Sequence, residues 1–325
     1  MDKHIVLACD LGGTNLRMAA IDREGSILYR TKRDTPRTER ADEIVSAIVE
    51  SANECAEYVK DLGTVLAIAI AAPATVSSER GVILKAPNVP ALDGFRMVAA
   101  LENELNIKAI LENDANAAAV GENWQGASKG FANSICVTLG TGVGGGIIID
   151  GKILSGVDGT AGEIGHICVE PFGAPCGCGS RGCVEQYSSA TAIVRQTQEL
   201  SSQYPKSDLP HIIRMTSKDV YEAGHRGDEL ALEVFRRQGF YLGIALGNLI
   251  NVLNPEVIVI GGGAAAGWDL FMPHLQEQVE QRTYREPRLR ANFKKAVLGD
   301  DAGIMGAAKL AFDKLTNSKE SNSNI

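Results

Sequence analysis

The stretch "ACDLGGTNLRMAAID" (Ala8–Asp22) contains the pattern that decides the fold. Apolar residues run up to Asp10, a Gly-Gly-Thr turn follows, and a second apolar run ends at Asp22. This pattern predicts two strands joined by a tight turn, because glycine has no Cβ to restrict the backbone there. A polar turn at Asp22–Gly25 and a third strand are expected next.

The same pattern recurs in "VTLGTGVGGGIIID" (Val137–Asp150). Leu11 lies 128 residues before Leu139, and Asp22 lies 128 residues before Asp150. Two glycine hairpins can align in this way by chance. The alternative is a pair of related lobes, each of which offers one glycine turn to a shared cleft.

The surrounding segments alternate between strand and helix patterns. Residues 41–63 have apolar side chains at helical spacing, and residues 64–74 form an apolar run typical of a strand buried on both faces. Residues 107–124 predict a strand that turns into a helix, and residues 228–254 predict a long helix. Residues 256–275 predict a strand, a glycine turn and another helix. The sequence therefore predicts an α/β protein.

Composition and charge limit the possible partners. The chain has 325 residues, 45% of them hydrophobic, and a formal net charge of −8. Because no long Lys/Arg run is present, we expect no nucleic-acid partner and no anionic membrane surface. No window reaches the roughly 18 consecutive apolar residues of a membrane span, and the N-terminus lacks the pattern of a signal peptide. The seven cysteines, an odd number, suggest a reducing cytoplasm.

Three glycine turns, each after an apolar strand, predict a nucleotide cleft. Backbone N–H groups in such turns can approach phosphate closely, although any one of them is also typical of a plain tight turn. Neither a P-loop nor a Rossmann fingerprint is present. Asp10, at the end of a strand, is placed to hold hydrated Mg²⁺. The candidate nucleotide-binding residues are Gly12, Gly13 and Thr14, then Gly140, Thr141 and Gly142, and finally Gly261, Gly262 and Gly263.

Asp114 in "LENDANAAAVGE" lies where a buried strand meets a helix. One interpretation is an N-cap, a position that Asp and Asn favour. The other is a general base that takes a proton from a substrate hydroxyl during phosphoryl transfer. On the second interpretation, the neighbouring Asn113 could orient sugar hydroxyls.

The stretch "PCGCGSRGCVEQYSS" (Pro175–Ser189) clusters three thiols in a short loop. With the preceding His166, they form a regular tetrahedral zinc set, and four protein ligands leave no open position, so a structural zinc is expected. Three unligated cysteines are the alternative. The zinc ligands would be His166, Cys176, Cys178 and Cys183, whereas Cys9, Cys55, Cys136 and Cys168 lie in apolar runs and are predicted to be core residues.

Glu163, His166 and Glu185 flank these cysteines. A loop rich in Gly and Pro has no core of its own, and metal binding can supply its order. Zinc would then fix the three flanking side chains relative to the cleft. Solvated surface charges are the alternative for the two glutamates.

Several motifs occur together in the order and spacing of the ROK sugar kinases, which the chain resembles from about residue 5 to residue 312. They are "DLGGTNLR", "LENDANAAAVGE", "LGTGVGGG", "GEIGH" and "CGCGSRGCVEQYSS". The resemblance implies a two-lobed α/β fold similar to actin and hexokinase (ribonuclease H-like), with a central cleft and a structural zinc loop at 166–183. It also implies ATP, Mg²⁺ and structural Zn²⁺ as cofactors, and a homodimer or homotetramer.

The resemblance also implies roles for individual residues. Asp114 matches the catalytic base, and His166 would touch the sugar while binding zinc through its other nitrogen. The residues that match sugar-binding positions are Asn88, Asn113, Asp114, Glu163, His166 and Glu185. The expected domains are a small lobe at 1–118 completed by a C-terminal helix at 303–316, a large lobe at 119–302, and a disordered tail at 317–325.

The resemblance leaves several functions open. The first is transfer of the γ-phosphoryl group of ATP to the 6-hydroxyl of glucose; kinases of N-acetylmannosamine, N-acetylglucosamine, fructose or allose are alternatives, and polyphosphate is an alternative donor. Pro73-Ala74-Thr75 replaces the Pro-Gly of many members, which puts the exact sugar in doubt. A sugar-responsive repressor is disfavoured, because only nine residues precede Asp10. A zinc module for partner binding is disfavoured by Asp10, Asp114 and the glycine turns.

Overall fold

The structure, a computed structural model, describes the backbone of residues 3–322 and the side chains of residues 3–316. Strands and helices alternate along this range. The strands are β1 (Lys3–Leu11), β2 (Asn15–Asp22), β3 (Ile27–Asp34), β4 (Gly63–Ala72), β5 (Thr75–Ser77), β6 (Val82–Lys85), β7 (Lys108–Asn113), β8 (Ser134–Leu139), β9 (Val143–Ile149), β10 (Lys152–Ile153), β11 (Val257–Gly261) and β12 (Asn292–Lys295). The α-helices are α1 (Ala41–Val59), α2 (Met97–Leu105), α3 (Asp114–Gln125), α4 (Glu185–Ser188), α5 (Ala190–Leu200), α6 (Ser217–His225), α7 (Glu229–Leu253), α8 (Trp268–Arg282), α9 (Arg285–Arg290) and α10 (Ala302–Asn322).

The first sheet contains the strands of the opening glycine hairpin. Its order is β3-β2-β1-β4-β7. β1 pairs antiparallel with β2 and parallel with β4, and β4 pairs parallel with β7. The last six residues of β4 are all buried, which explains the uninterrupted apolar run of that segment.

The second sheet repeats this arrangement. Its order is β10-β9-β8-β11-β12, and β11 pairs parallel with both β8 and β12. β9 pairs antiparallel with β10, as β2 does with β3. In each sheet, three strands that are consecutive in the chain lie side by side: β1 to β3 in the first and β8 to β10 in the second. Two further strands then continue the sheet in parallel: β4 and β7 beside β1, and β11 and β12 beside β8. The two glycine hairpins that lie 128 residues apart in the sequence therefore occupy the same positions in the two sheets.

The chain forms two compact units of α/β structure. The first comprises Met1–Gly130, Gly146–Gly162 and Leu298–Ile325, and the second comprises Phe131–Gly145 and Glu163–Val297. The domain boundary predicted after residue 118 would fall inside α3, whereas the structure keeps that helix whole within the first unit. α10 covers the predicted C-terminal helix and continues to Asn322. Residues 323–325 of the predicted tail lie outside the described residues.

Glycines at the contact between α3 and α10 allow the two helix backbones to approach closely in the first unit. A Cβ added to Gly306 would lie 1.6 Å from the Ala117 carbonyl oxygen, and one added to Gly121 would lie 2.2 Å from the Ala302 carbonyl oxygen. Side chains at these positions would force the two helix backbones apart. The close contact explains why the predicted boundary within α3 does not separate two units: this helix is packed along its length against α10.

The buried Glu122 connects α3 to the segment that leads into α10. Its carboxylate accepts hydrogen bonds from the Ala127 N–H at 2.7 Å and from the Leu298 N–H at 2.9 Å. Buried backbone N–H groups need partners, and a charged acceptor makes a strong hydrogen bond. Glu122 therefore helps to define where the last helix begins.

Local sequence signals explain the ends of α7 in the second unit. The Asp228 side chain accepts a hydrogen bond from the Ala231 N–H at 2.9 Å, which caps the helix N-terminus. At the other end, Asn254 adopts a left-handed conformation with φ of 46°, a common way to end a helix. The long helix predicted at 228–254 is therefore confirmed.

Two features of the first unit had no sequence prediction, namely the short hairpin of β5 and β6 and the helix α2. Both are short, so their periodicity is weak. Among the described residues, none of the helices combines the length and the apolarity that a bilayer crossing requires.

Candidate functional site

Asp114 is the first residue of α3 and is half-buried. The N-cap of this helix is Asn113, whose side-chain oxygen accepts from the Ala115 N–H at 2.9 Å and the Asn116 N–H at 3.0 Å. The interpretation of Asp114 as the N-cap is therefore wrong. One carboxylate oxygen of Asp114 accepts from the Ala115 N–H at 2.8 Å. Its position in the first turn favours the ionised form, because the helix N-terminus carries partial positive charge.

A buried carboxylate, Glu112, lies beneath this helix start, and sequence analysis missed it. Its Oε1 accepts from the Asn113 N–H at 3.0 Å and from the Asn116 side-chain amide at 3.1 Å. Its Oε2 accepts from the Ser78 hydroxyl at 3.2 Å. The available signal was a charged residue at the end of an apolar strand, "KAILEN". Through these hydrogen bonds, Glu112 stabilises the junction between β7 and α3, next to Asp114.

Asn113, predicted to contact sugar, already has several partners within the protein. Besides capping α3, its side-chain nitrogen donates to the Ala74 carbonyl oxygen at 3.1 Å. Ala74, which stands where the resemblance implies a glycine, is buried. The loop after β4 is thus bonded directly to the helix start next to Asp114.

The first glycine turn is closed by backbone hydrogen bonds. The Gly12 N–H donates to the Asn15 carbonyl at 2.8 Å, and the Thr35 hydroxyl donates to the Gly12 carbonyl at 2.6 Å. Gly13 and Thr14 are exposed. Asn88 lies next to this turn, since a Cβ on Gly13 would be 3.3 Å from the Asn88 Cβ. The structure therefore brings Asn88 together with the predicted phosphate turn.

Asp10, the second-last residue of β1, contacts a cation that sequence analysis did not single out. Arg17 Nη1 lies 3.1 Å from Asp10 Oδ2, and Arg17 Nη2 lies 2.8 Å from Asp300 Oδ2. Burial raises the pKa of Asp10 above its ordinary value, and the opposite charge of Arg17 opposes that rise. The carboxylate thus has a partner in this structure that stabilises its ionised form.

The second glycine turn, Gly140–Gly142, belongs to the second unit. It is closed by a hydrogen bond from the Gly140 N–H to the Gly142 carbonyl at 2.9 Å. The Thr191 hydroxyl donates to the Thr141 carbonyl at 2.8 Å, and Thr141 itself is exposed. The Val143 N–H donates to Glu185 Oε2 at 3.1 Å. The predicted sugar ligand Glu185 therefore also supports the phosphate turn.

His166, Cys176, Cys178 and Cys183 come together in the second unit as predicted. Their ligating atoms all lie within 4.8 Å of one another. The Cys176 sulfur is 3.7 Å from His166 Nδ1, and the Cys178 and Cys183 sulfurs are 3.7 Å apart. Three thiols and one imidazole at this spacing match the donor set of a tetrahedral zinc site.

The cysteine loop is a small hairpin whose backbone folds around the ligands. Pro175 and Arg181 form an antiparallel bridge, and the Cys176 N–H donates to the Ser180 carbonyl at 2.9 Å. Gly182 adopts φ of 69°, and a Cβ there would lie 1.6 Å from the Glu170 carbonyl oxygen. Only glycine fits that position, which explains part of the glycine content of the loop.

Burial raises the pKa of Cys183 to about 12, and the neighbouring thiols add to that rise. A hydrogen bond from the Ser180 backbone lowers the pKa of Cys178. A bound metal cation would stabilise the thiolate form of these cysteines, and the thiolate is the form that binds a metal.

Both predicted sugar-binding glutamates of this unit lie near the cluster. Glu163 Oε2 is 3.9 Å from His166 Nε2, whereas it is the other ring nitrogen, Nδ1, that contacts the Cys176 sulfur. Glu185 Oε1 is 4.0 Å from the Cys176 sulfur. His166 can therefore bind a metal through Nδ1 while Nε2 stays available to Glu163 or to a ligand.

Cys168 does not lie in the core. It is exposed, whereas Cys9, Cys55 and Cys136 are buried as predicted. The apolar run that contained Cys168 is a short extended segment that pairs with the cysteine loop rather than with a sheet. The prediction of a core cysteine at this position is therefore wrong.

The third glycine turn follows β11 in the second unit. Gly262 adopts φ of 87°, and Gly263 lines a cavity of about 240 Å³. The walls of the cavity include Ile193, Tyr221 and Phe235. Ser217, Lys218 and Glu222 also line the cavity, and the apolar and aromatic part of its wall suits a flat heteroaromatic ring such as a nucleobase.

The predicted site residues are divided between the two units. Asp10, Gly12–Thr14, Asn88 and the pair Asn113-Asp114 belong to the first unit. The second unit contains Gly140, Thr141, Gly142, Glu163, His166, Cys176, Cys178, Cys183, Glu185, Gly261, Gly262 and Gly263.

Comparison with known proteins gives consistent matches. The sequence profile of the ROK family matches residues 6–314. A glucokinase from Halalkalibacterium halodurans is 38% identical over 310 residues, which cover 93% of each chain. A glucokinase from Thermotoga maritima is 33% identical over 321 residues, which cover 97% of this chain and 99% of that one.

A solved structure has the same fold. The crystal structure of a ROK family glucokinase from Streptomyces griseus in complex with glucose and AMPPNP superimposes with a TM-score of 0.79 at 34% identity. The match covers 94% of this chain and 98% of the other.

Proposed function

The chain belongs to the ROK family, and from that premise we propose that it is a glucokinase. It transfers the γ-phosphoryl group of ATP to the 6-hydroxyl of glucose. Two relatives named glucokinase, 38% and 33% identical over more than nine-tenths of this chain, support the activity. The S. griseus relative binds glucose and AMPPNP, an ATP analogue, which supports both substrates.

The observation that carries the mechanism is the position of Asp114 at the start of α3. Its carboxylate is half-buried and accepts from the Ala115 N–H, and the hydrogen bonds of Glu112 to the Asn113 N–H and the Asn116 side chain order the strand-to-helix junction beside it. We assign it as the general base that takes the proton from the sugar 6-hydroxyl as that oxygen attacks the γ-phosphorus. The partial positive charge at a helix N-terminus stabilises a carboxylate there, and a positioned carboxylate can accept a proton from a substrate hydroxyl.

The remaining residues would bind and orient. The Gly12 and Gly140 N–H groups close their own turns, so the proposed phosphate donors are the N–H groups of Gly13 and Thr14 in the first turn and of Thr141 and Gly142 in the second. The cavity beside Gly263 is the proposed base site. Asp10 would hold hydrated Mg²⁺, which neutralises charge on the transferring phosphoryl group. The sugar contacts assigned to Asn88, Asn113, Glu163, His166 and Glu185 stay predictions from the resemblance.

We also propose that His166 and the three clustered cysteines hold a structural zinc ion. The donor set and the 4.8 Å spacing of its atoms support that assignment. The contacts of the cysteine loop indicate what the ion would order. His166 and Glu185 each contact Cys176, so the order of the metal loop sets the positions of two predicted sugar ligands. None of the seven cysteines, all of which lie within the described residues, forms a disulfide bond. A reducing cytoplasm, where thiols stay reduced, is the proposed compartment of this enzyme.

The proposed activity is tested by ADP release from ATP over a panel of hexoses. We expect glucose to give the highest kcat/KM, above fructose, allose, N-acetylglucosamine and N-acetylmannosamine. A matched reaction with polyphosphate in place of ATP tests the donor. If an N-acetylhexosamine exceeded glucose, the glucokinase assignment would be replaced by that kinase; if no sugar released ADP, the kinase assignment would fail.

Arg17→Gln should shift the acid limb of the kcat/KM profile to higher pH. Burial already raises the pKa of Asp10, and loss of the guanidinium removes the charge that opposes the rise. Asp10 would then bind a proton, and stop binding Mg²⁺, at a higher pH than in the unmodified protein. The control is Arg17→Lys, which keeps the positive charge and should shift the limb less. Identical acid limbs in all three proteins would contradict the role of Arg17.

A further inference from the structure

Cys168 faces the metal ligand Cys183 across a short antiparallel bridge. The Val169 N–H donates to the Gly182 carbonyl at 2.8 Å, and the Val184 N–H donates to the Ile167 carbonyl at 2.9 Å. These two hydrogen bonds flank the cysteines on both sides. Cys168 and Cys183 therefore form a non-hydrogen-bonded pair, the kind in which opposite side chains approach most closely.

The backbone register of this pair fits a disulfide. In a non-hydrogen-bonded antiparallel pair the Cα atoms are about 4.5 Å apart and the side chains share one face. A disulfide needs Cα atoms separated by about 4.4–6.8 Å. The two thiols can therefore be linked by side-chain rotation, with little backbone movement.

The two cysteines differ in environment. Cys168 is exposed and lies outside the four-residue metal group, whereas Cys183 is fully buried within it. An oxidant in solvent therefore reaches Cys168 before the buried Cys183, and a metal ion would occupy the sulfur of Cys183 but not that of Cys168. No other predicted function uses Cys168.

We propose that Cys168 is an oxidative modification site that hydrogen peroxide converts into a disulfide with Cys183. The Cys168 sulfur attacks one peroxide oxygen, the O–O bond breaks, and the products are a sulfenic acid and water. The Cys183 sulfur then attacks the sulfenic sulfur, the S–O bond breaks, and the second oxygen leaves as water. Overall, two thiols are oxidised and one peroxide is reduced to two waters.

The disulfide removes one of the four ligands from the cluster. His166 would lose the ion that orders it, and Glu163 lies 3.9 Å from that imidazole. Oxidation would therefore release metal and lower activity reversibly. This inference rests on the proposed zinc cluster, but it does not depend on which sugar is phosphorylated.

A competing disulfide is available between Cys178 and Cys183, whose sulfurs are 3.7 Å apart. Both of these residues belong to the metal group, so a bound ion engages both sulfurs at once. Cys168 is not in the metal group, so a bound ion would leave its thiol free to react. We therefore expect Cys168 to be the first thiol oxidised in the metal-loaded protein.

The test treats the zinc-loaded full chain with hydrogen peroxide, maps disulfides by mass spectrometry and follows zinc release with a chromogenic chelator. We expect a disulfide between Cys168 and Cys183, zinc release, and recovery of zinc binding after dithiothreitol. Cys168→Ser should release zinc at least about tenfold more slowly, since oxidation follows thiol exposure. The control, Cys55→Ala, removes a buried thiol of the first unit and should behave like the unmodified protein.

A disulfide only between Cys178 and Cys183, or equal zinc release by Cys168→Ser and the unmodified protein, would overturn the proposal. Disulfides are mapped in metal-free protein as well. Absence of zinc from untreated protein would refute the proposed cluster, while the map would still decide whether Cys168 and Cys183 pair. Lack of kinase activity would refute the proposed function and leave the disulfide result unaffected.

Discussion

Asp114→Asn should lower kcat by about 10²–10⁴-fold, the usual contribution of a positioned general base. Asparagine keeps the size of the side chain and can still accept from the Ala115 N–H, but it cannot take a proton from the sugar hydroxyl. Glucose binding should change little, because the hydrogen-bonding shape of the residue is retained. Steady-state ADP release gives kcat, and calorimetric titration with glucose gives Kd.

Loss of a negative charge at a helix N-terminus also lowers the free energy of unfolding. A control variant, Asp42→Asn, measures this effect separately. Asp42 lies in the first turn of α1, is exposed and is far from the candidate base in sequence. Asp42→Asn removes the same charge from the first turn of another helix, together with an exposed ion pair to Arg40, so each variant should lose only about 0.3–1 kcal/mol of stability. If Asp114→Asn kept near-normal kcat with its metal content intact, another residue would have to be the base.

The second large effect is expected from Cys178→Ser. This cysteine is a predicted zinc ligand and is exposed, so its loss removes a metal–sulfur bond without opening a hole in the core. Zinc at a free concentration 100 times its Kd stabilises the folded protein by about 2.7 kcal/mol. Loss of that contribution lowers the melting temperature by roughly 5–11 °C for a unit of this size. Metal analysis and thermal unfolding measure both effects.

Cys168→Ser is the matched control for this change. It replaces an exposed cysteine of the same segment that lies outside the metal group. We expect it to bind as much zinc as the unmodified protein and to melt at the same temperature under reducing conditions. Equal zinc content and equal melting temperatures for Cys178→Ser and Cys168→Ser would remove the basis for a structural zinc at this site.

Much of the candidate site follows from patterns that are local in the chain. The turn after Asp10, the helix that begins next to Asp114 and the spacing of Cys176, Cys178 and Cys183 are all defined by near neighbours in sequence. Backbone preferences of glycine, capping preferences and ligand spacing act over a few residues, so they can be recognised without knowledge of long-range contacts.

The N-cap interpretation of Asp114 and the core prediction for Cys168 failed for a different reason. Both Asp and Asn suit an N-cap, and the choice between adjacent residues depends on which one has extended backbone; Asn113 does, with ψ of 144°. The segment of Cys168 is apolar but short, and it pairs with a loop instead of entering a sheet. Burial is decided by what packs against a segment, which its own composition does not specify.

The sequence alone determined the alternation of strands and helices, the repeated glycine hairpin, the family and the set of candidate metal ligands, because each depends on residue types at short, regular spacing. Only the tertiary structure placed Arg17 against Asp10, Glu112 beneath the start of α3, and Cys168 opposite Cys183. These contacts depend on strand register and on side-chain geometry. A shift of one residue in pairing would turn each side chain to the other face, and no local pattern excludes that shift.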